Sequence, residues 1–500
     1  MKDRPTRITI EGGTAFLLAR VRDFLASQVS HAYLVGGFVR DALLGRATTD
    51  IDVSVAGEAQ LLARSLADAL GGKYVLLDQV HQVARVVLFL EDGRWFVDLS
   101  ALRGDIEADL GDRDFTIDAM ALPLFRPGDD SRPSSQVEWS TEHIIDPHGG
   151  LADLRKRRIR VVRQRAFEHD PVRLLRAVRL ASQLGFAIEM QTRRLIQDKA
   201  GLIKSGAPER VRDELCLILG HPEAAQYLHQ LHRLGLLLNI IPELAPTVGS
   251  KQPKEHFWNV FEHSLETVAA VGVVLQERRP DFACIVPWSE TLAEHFDREV
   301  SSGHSRRVLL KLAALLHDIA KPHTRSLEES GRIRFFGHAR EGASQSALIM
   351  DRLRFSNREI RLVETAIRYH LRPVQMAGGE GLPTRRAMYR YFRDAGEAAI
   401  DTLFLSLADH LAARGPTLDL ASWQQHAEQV GYVLEQHFKE KSLTRPPKLV
   451  DGHDLMQSLG LEPGPSVGRL LEMVREAQAA GEVATREEAL ALARRYLEAK

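Results

Sequence analysis

Cysteine is nearly absent from this 500-residue chain: only Cys216 and Cys284 occur, too few for a disulfide framework and not spaced as a CxxC metal site. That usage fits a reducing compartment and sets the expectation of a cytoplasmic protein. Long apolar runs are missing too. No stretch of eighteen apolar residues occurs, which argues against a membrane span. The charged start, MKDRPTRITI, lacks the apolar segment of a signal peptide. Net charge is −1, so the overall balance implies no polyanionic partner and basic segments must be sought locally. Internal repeats and long low-complexity tracts are absent as well. What the chain does have is length, enough for three or four domains with a large buried core.

Residues 31–124 alternate between strand and helix patterns. HAYLV reads as a strand and GFVRDALLG as a short helix. DIDVSVA reads as a strand with Ile51, Val53 and Val55 on one face and Asp50, Asp52 and Ser54 on the other. EAQLLARSLADALGG is an amphipathic helix closed by glycine, and ARVVLFL and RWFVDLS form a hairpin across EDG. The Pro/Ser-rich stretch 127–136 is a loop. From about residue 151 strand signals almost vanish and helical segments follow, among them DPVRLLRAVRLASQLGF and ERVRDELCLILG. Residues 151–215 hold 16 Lys/Arg against 8 Asp/Glu, a local balance of +8. Such a segment suits an RNA backbone, or is simply a solvated helix face.

The stretch YLVGGFVRDALLGRATTDIDVSV, Tyr33–Val55, carries the first chemistry. Asp50 and Asp52 share one face of a strand, with Cβ atoms about 7 Å apart. Two carboxylates so placed are costly unless a cation lies between them. Mg²⁺ takes oxygen ligands and binds nucleotide phosphates, and paired ions stabilise both oxygens of an in-line displacement. The Gly36-Gly37 turn opens a helix where backbone N–H groups approach an anion closely, and Arg40 adds a mobile positive charge. A Gly-Gly turn alone is usually only a turn, and a lone Asp-x-Asp is often solvated surface. Their combination within about twenty residues describes nucleotidyl transfer.

The same residues resemble the signature of the class II tRNA nucleotidyltransferase and bacterial poly(A) polymerase superfamily. The resemblance implies a head domain of the polymerase-β nucleotidyltransferase type, with catalytic Asp50 and Asp52 holding metal and Gly37 and Arg40 touching the incoming triphosphate. DLGDRDFTIDAMAL resembles the family's RRDFTINA motif, in which an Arg-Asp pair, here Arg113 and Asp114, meets sugar and phosphates. Asp112 replaces the first arginine and Asp118 the usual asparagine, and both changes lower local positive charge. FEHDPVRLLRAVRLASQLGF resembles the neck helix that reads the nucleobase with a Glu-Asp-x-x-Arg motif. Asp170 and Arg173 keep its Asp and Arg, while His169 replaces the Glu. Arg176 and Arg179 follow at three-residue steps and suit a triphosphate laid along the helix. Asp-Pro is also an ordinary helix start, a cap followed by proline. IIDPHGGLADL resembles the hinge between head and neck, although Asp146-Pro147 and Gly149-Gly150 are simple turn formers. Asp98 is placed for a third acid, or is an ordinary strand-end carboxylate.

A second set lies further on: His263, the adjacent pair His317-Asp318, His338, His370 and Asp409. An aspartate on an apolar helix needs a partner or a metal, and imidazole plus carboxylate suits a divalent transition metal. The set resembles the HD phosphohydrolase domain. His263, His317, Asp318 and Asp409 match its core metal ligands, and His338 and His370 match the extra histidines of two-metal members.

The expectation is therefore an α/β head of polymerase-β type followed by a mostly α-helical body including an HD domain. Its expected boundaries are a head over 1–150, neck and RNA-binding helices over 151–250, an HD domain over 251–440 and a helical tail over 441–500. The expected activity is template-independent addition of C and A, from CTP and ATP, to the tRNA 3′ end, with Mg²⁺ in the head and a possible HD phosphohydrolase activity. The alternatives are an A-adding enzyme or poly(A) polymerase and, in another class, an HD phosphohydrolase whose head only binds RNA.

Overall fold

The computed structural model describes residues 7–79, 82–90, 93–125, 136–253, 256–278, 280, 285–376, 381–439 and 447–498. Cys284, most of the 127–136 loop, the hairpin tip at Glu91-Asp92 and residues 377–380 lie outside them. The chain divides into two compact units, the first ending at Gly206 and the second beginning at Ala207.

The first unit is built on a six-stranded sheet. In chain order its elements are β1 (Arg7–Glu11), α1 (Gly12–Ala26), β2 (Ala32–Val35), α2 (Gly37–Leu43), β3 (Asp50–Val55), α3 (Ala59–Leu70), β4 (Lys73–Asp78), β5 (Val83–Leu90), β6 (Gly93–Ala101), α4 (Ile106–Gly111), β7 (Ala121–Pro123) and β8 (Gln136–Ser140). The sheet order is β4-β5-β6-β3-β2-β7, and β1 pairs with β8 in a separate ribbon. Only β3 and β6 run parallel, with Asp52 opposite Asp98; the other neighbours are antiparallel. The alternation read from DIDVSVA holds: Ile51, Val53 and Val55 are fully buried against α1 and α3. α3 ends on Gly71, whose φ of +71° is the left-handed cap that glycine supplies. β1, α1 and β4 lie outside the strand and helix segments read from the sequence.

Below the sheet, α5 (Gly150–Arg155), α6 (Ala166–His169) and α7 (Arg173–Leu184) lead out of the head. The predicted hinge is packed tightly. Asp146 accepts hydrogen bonds from the backbone of Gly150 and Leu151 at 2.6 and 2.9 Å, and Thr116 donates to Asp153 of α5 at 2.8 Å. The second unit is mainly helical. The helices Val260–Val274, Arg306–Leu316, Asn357–Tyr369 and Ala399–Ala413 pack around one core. Three C-terminal helices from Gly452 to Glu498 have a core of their own. Strand pairing does not vanish after residue 151: short pairs join 158–159 to 187–188, 299–301 to 304–305 and 325–327 to 333–335. Among the described residues no helix is long and apolar enough to cross a membrane.

Gly150 has no room for a side chain, since a Cβ would fall 2.2 Å from the Thr116 carbonyl oxygen and 2.8 Å from Met120. Gly150→Ala is expected to cost about 1–3 kcal/mol through overpacking, a fall of roughly 2–10 °C in the melting midpoint for a domain of this size. Thermal unfolding checks it, and an unchanged midpoint refutes tight packing at this junction.

Candidate active site and metal centre

Antiparallel β5 and parallel β3 flank β6, so three carboxylates gather at one end of one sheet face. Asp50 and Asp52 come from β3, and Asp98 from β6 directly opposite Asp52. Arg85 of β5 faces Asp98 across the strands and grips both its oxygens at 2.8 Å. Asp98 is thus paired with a guanidinium within the group. Asp50 is exposed and Asp52 half-buried. Burial is the largest cause that pushes the Asp52 carboxyl up to about 6; Asp98 and Asp50 add to it and Arg113 opposes it. Burial raises Asp50 as well, against the pull of Arg85. Carboxylates that resist ionisation in one another's company fit a divalent cation.

The glycine turn closes over this group. Gly36 has φ +68°, and a Cβ there would lie 2.8 Å from Arg113 Nη1 and 3.3 Å from Asp52 Oδ2. The position that demands glycine is thus Gly36, which precedes the candidate phosphate contact Gly37. Gly37 lies beside Arg40 Nη2 and Asp52 Oδ2, at 3.4 and 3.8 Å from its own Cβ position. Arg113 makes only long contacts, 3.4 Å to Asp109 and 3.4 Å to Ser54.

Arg40 is not mobile, contrary to expectation. It binds both oxygens of Asp41 at 3.0 and 2.8 Å and donates to Asp118 at 2.6 Å. From α7, Arg176 pairs with Asp114 at 2.5 Å and approaches Asp118 at 3.8 Å, while Arg173 donates to the Asp112 carbonyl at 3.0 Å. Although burial works against ionisation, Arg176 and then Arg173 hold the Asp114 carboxyl below its ordinary value. Asp170 accepts from the Val172 backbone N–H at 3.2 Å and lies 3.7 Å from Arg173, so the cap-like bond and the candidate base-reading pair coexist. Arg179 is buried and donates to Gln183 at 2.6 Å, one turn further along α7. Of the sequence-predicted head residues, the structure gathers Asp50, Asp52, Gly37, Arg40, Arg113, Asp170, Arg173 and Arg176, and sets Arg179 deeper. Arg85 and Asp109 were missed; the strand register that puts Arg85 opposite Asp98 depends on the hairpin tip, which a composition reading does not fix.

In the second unit, His263, His317, Asp318, His338, His370 and Asp409 converge from five helical segments. The ligand atoms of His263, His317 and Asp409 lie within 4.8 Å of one another, as do those of His317, Asp318 and His370. Three of the imidazoles are oriented alike: Nδ1 of His317, His338 and His370 bonds the carbonyl three residues earlier, at 2.8, 2.7 and 2.6 Å. A carbonyl only accepts, so Nδ1 carries a proton in each ring and Nε2 faces the cluster. His263 Nε2 lies 2.9 Å from Asp409. The Nε2 atoms of His317 and His338 and both Asp318 oxygens are buried without a hydrogen bond of good geometry. Burial alone would lower His317; Asp318 and Asp409 overcome it and raise the imidazole to about 10. Burial and then His317 hold His370 at about 4. The cluster therefore draws a positive charge into its centre, and the donor set fits a divalent metal. Lys321, not singled out in the sequence, answers part of that demand at 2.6 Å from Asp318, and donates to Gln252 at 2.7 Å. Its spacing, three residues after Asp318, was the available signal.

Known proteins resemble the chain along its length. Family profiles match as a poly A polymerase head domain over 32–160, as the RNA- and SrmB-binding site of polymerase A over 185–247, as an HD domain over 260–414 and as a tRNA nucleotidyltransferase domain 2 over 338–493. The A-adding tRNA nucleotidyltransferase of Deinococcus radiodurans is 34% identical over 476 residues, covering 93% of this chain and 96% of that one. The CC-adding tRNA nucleotidyltransferase of Thermus thermophilus is 33% identical over 476 residues, covering 94% of each. The fold matches the Thermotoga maritima CCA-adding enzyme complexed with tRNA, with a TM-score of 0.58 at 21% identity over 98% of this chain and 99% of that one.

A carboxyl whose pKa rises on folding costs stability above that pKa, and the cost fades as pH falls through it toward the unfolded value near 4. Asp52→Asn is therefore expected to raise the melting midpoint in EDTA at pH 8, with the gain shrinking at pH 5. Mg²⁺ at pH 8 should raise the parent's midpoint more than the variant's. Scanning fluorimetry reads both effects, and a variant destabilised at pH 8 argues against a cation site.

Proposed function

The chain belongs to the tRNA nucleotidyltransferases, and from that footing we propose that it adds C and A, from CTP and ATP, to the 3′ end of tRNA without a nucleic-acid template. The observation that carries this reading is the strand that holds Asp50 and Asp52, with Asp52 Oδ2 and Arg113 Nη1 both close against Gly36 of the glycine turn. The RNA 3′ oxygen attacks the α-phosphorus, a new O–P bond forms, the α–β bridging bond breaks, and pyrophosphate leaves. Asp50 and Asp52 would hold Mg²⁺, which when bound neutralises charge on the attacking and leaving oxygens. Arg113, with its long and replaceable contacts, grips the triphosphate. The backbone at Gly37 lets the phosphates approach without a side chain in the way. Asp170 offers acceptors and Arg173 donors to the edge of the incoming base. Arg40 and Arg176 flank the phosphates, and Arg179 extends the row along α7. The basic stretch 151–215 follows the RNA backbone.

One observation favours a narrower second reading. The two relatives of nearly equal identity divide the work, one A-adding and the other CC-adding. On that reading the chain builds only part of the CCA end. The deciding experiment incubates the protein with tRNA ending before CCA, after C and after CC, supplying each NTP separately. Full CCA addition extends the first two by C with CTP and the third by A with ATP. Extension only of the first two by C, or only of the third by A, establishes the narrower reading, and an unlimited A tail a poly(A) polymerase. No extension at all refutes nucleotidyl transfer.

The second cluster is assigned metal-dependent hydrolysis of phosphate esters. His263, His317, Asp318 and Asp409 would hold a divalent transition metal, which when bound activates water. Lys321 and the inward imidazoles keep the charge of Asp318 balanced. His317→Ala or Asp318→Ala is expected to abolish bound transition metal and phosphoesterase activity while leaving nucleotide addition largely intact. Metal analysis and the two assays check it. Unchanged metal content refutes the ligand set, and joint loss of both activities in a folded variant refutes their independence.

A further inference from the structure

Resting on the nucleotidyltransferase reading above, we propose that Asp118 is a positioning residue that restrains Arg40 and Arg176, weakening the grip of the arginine row on the triphosphate and on the pyrophosphate product. Asp118 is 2% exposed, yet both its oxygens face guanidinium groups. Oδ1 takes Arg40 Nη1 at 2.6 Å, and Oδ2 lies 3.8 Å from Arg176 Nη2 and accepts no hydrogen bond. Arg40 is held on its other side by both oxygens of Asp41, and its side chain is only 11% exposed. It cannot swing to a ligand without giving up three charge-assisted bonds. Arg176 is different. Its side chain is 39% exposed, it is anchored by Asp114, and it meets Asp118 only at long range.

Arg40 and Arg176, with Arg173 also acting on Asp114, face three carboxylates, Asp41, Asp114 and Asp118, so the guanidinium charge is already matched. A polyphosphate arriving here competes with carboxylates already in place. Asp118 is the carboxylate common to both arginines, and its buried Oδ2 accepts no hydrogen bond. Weak ground-state binding of phosphates favours turnover, because only interactions stronger in the transition state than in the ground state speed the chemical step. An enzyme that must release pyrophosphate after each addition gains from such restraint.

Asp118→Asn tests it. The amide keeps an acceptor for Arg40, removes the charge facing Arg176, and is the residue the related motif carries at this position. With the full-length protein and Mg²⁺, binding of inorganic pyrophosphate measured by calorimetry is expected to tighten three- to tenfold, with KM for CTP or ATP falling in parallel and kcat not rising. A residue with a merely structural role would not produce a gain of affinity. Unchanged or weaker pyrophosphate binding by a variant with a parental melting curve overturns the proposal. Should the asparagine variant not fold, Asp118→Ser repeats the test with a small uncharged acceptor, judged by the same two outcomes. The underlying reading fails separately: if the parent transfers no nucleotide to any tRNA, nucleotidyl transfer is wrong, whereas transfer by the parent without tightening in the variant refutes only the role of Asp118.

Discussion

Carboxylates crowded on one face repel one another, and the head of this protein is organised around containing that repulsion. β3 and β6 bring Asp50, Asp52 and Asp98 together because their opposite faces, with Ile51, Val53, Val97 and Leu99, are locked in the core. A register slip would relieve the repulsion only by exposing that apolar set. The acids therefore stay, and Arg85 from β5 comes to Asp98, while Arg113 from the turn after α4, Arg40 from α2 and Arg176 from α7 pair with the neighbouring carboxylates Asp109, Asp118 and Asp114. What is left unbalanced is the charge around Asp50 and Asp52, where a metal-bound nucleotide would complete the neutralisation.

The second unit handles the same kind of problem with imidazole. Buried Asp318 and half-buried Asp409 face histidines rather than arginines. Guanidinium is always charged and carries no lone pair for a metal, whereas imidazole can exchange a proton for one. The shared device, an Nδ1 bond to the carbonyl three residues back, fixes three rings without any partner side chain. One centre thus sets guanidinium against carboxylate and the other imidazole, a ligand that can hold a metal through nitrogen. Their different chemistries follow from that choice of cation.

Much of this was legible in the sequence because the informative residues are local. Asp50 and Asp52 share a face by strand periodicity, and His317-Asp318 sits at the end of an apolar helix, so short windows reveal them. What escaped depends on long-range register. Arg85 meets Asp98 only once β5 and β6 are paired, and Asp118 meets Arg176 only once α7 returns beside the head. Asp118 read as a simple loss of positive charge; its burial between two arginines turns that loss into a contact. Arg40 read as mobile because its neighbour Asp41 and distant Asp118 act together. Asp146–Gly150 reads as simple turn formers that also resemble a hinge, and there Gly150 serves close approach to the Thr116 carbonyl. Turn-forming residues alone do not separate the two.

The ribbon joining β1 to β8 couples the order of synthesis to the order of assembly. Arg7 lies opposite Ser140, with Ile8 and Ile10 buried on this ribbon beside Trp139. None of that burial is available to the nascent chain until residues near 140 have cleared the ribosome, roughly 6–26 s after the first strand at 5–20 residues per second. During that interval β1 lacks its pairing strand, and only α1 and the elements made soon after it can cover its apolar side. A chaperone that holds emerging chains would find its target there, and slowing or speeding translation between β1 and β8 would change how long that segment waits unpaired.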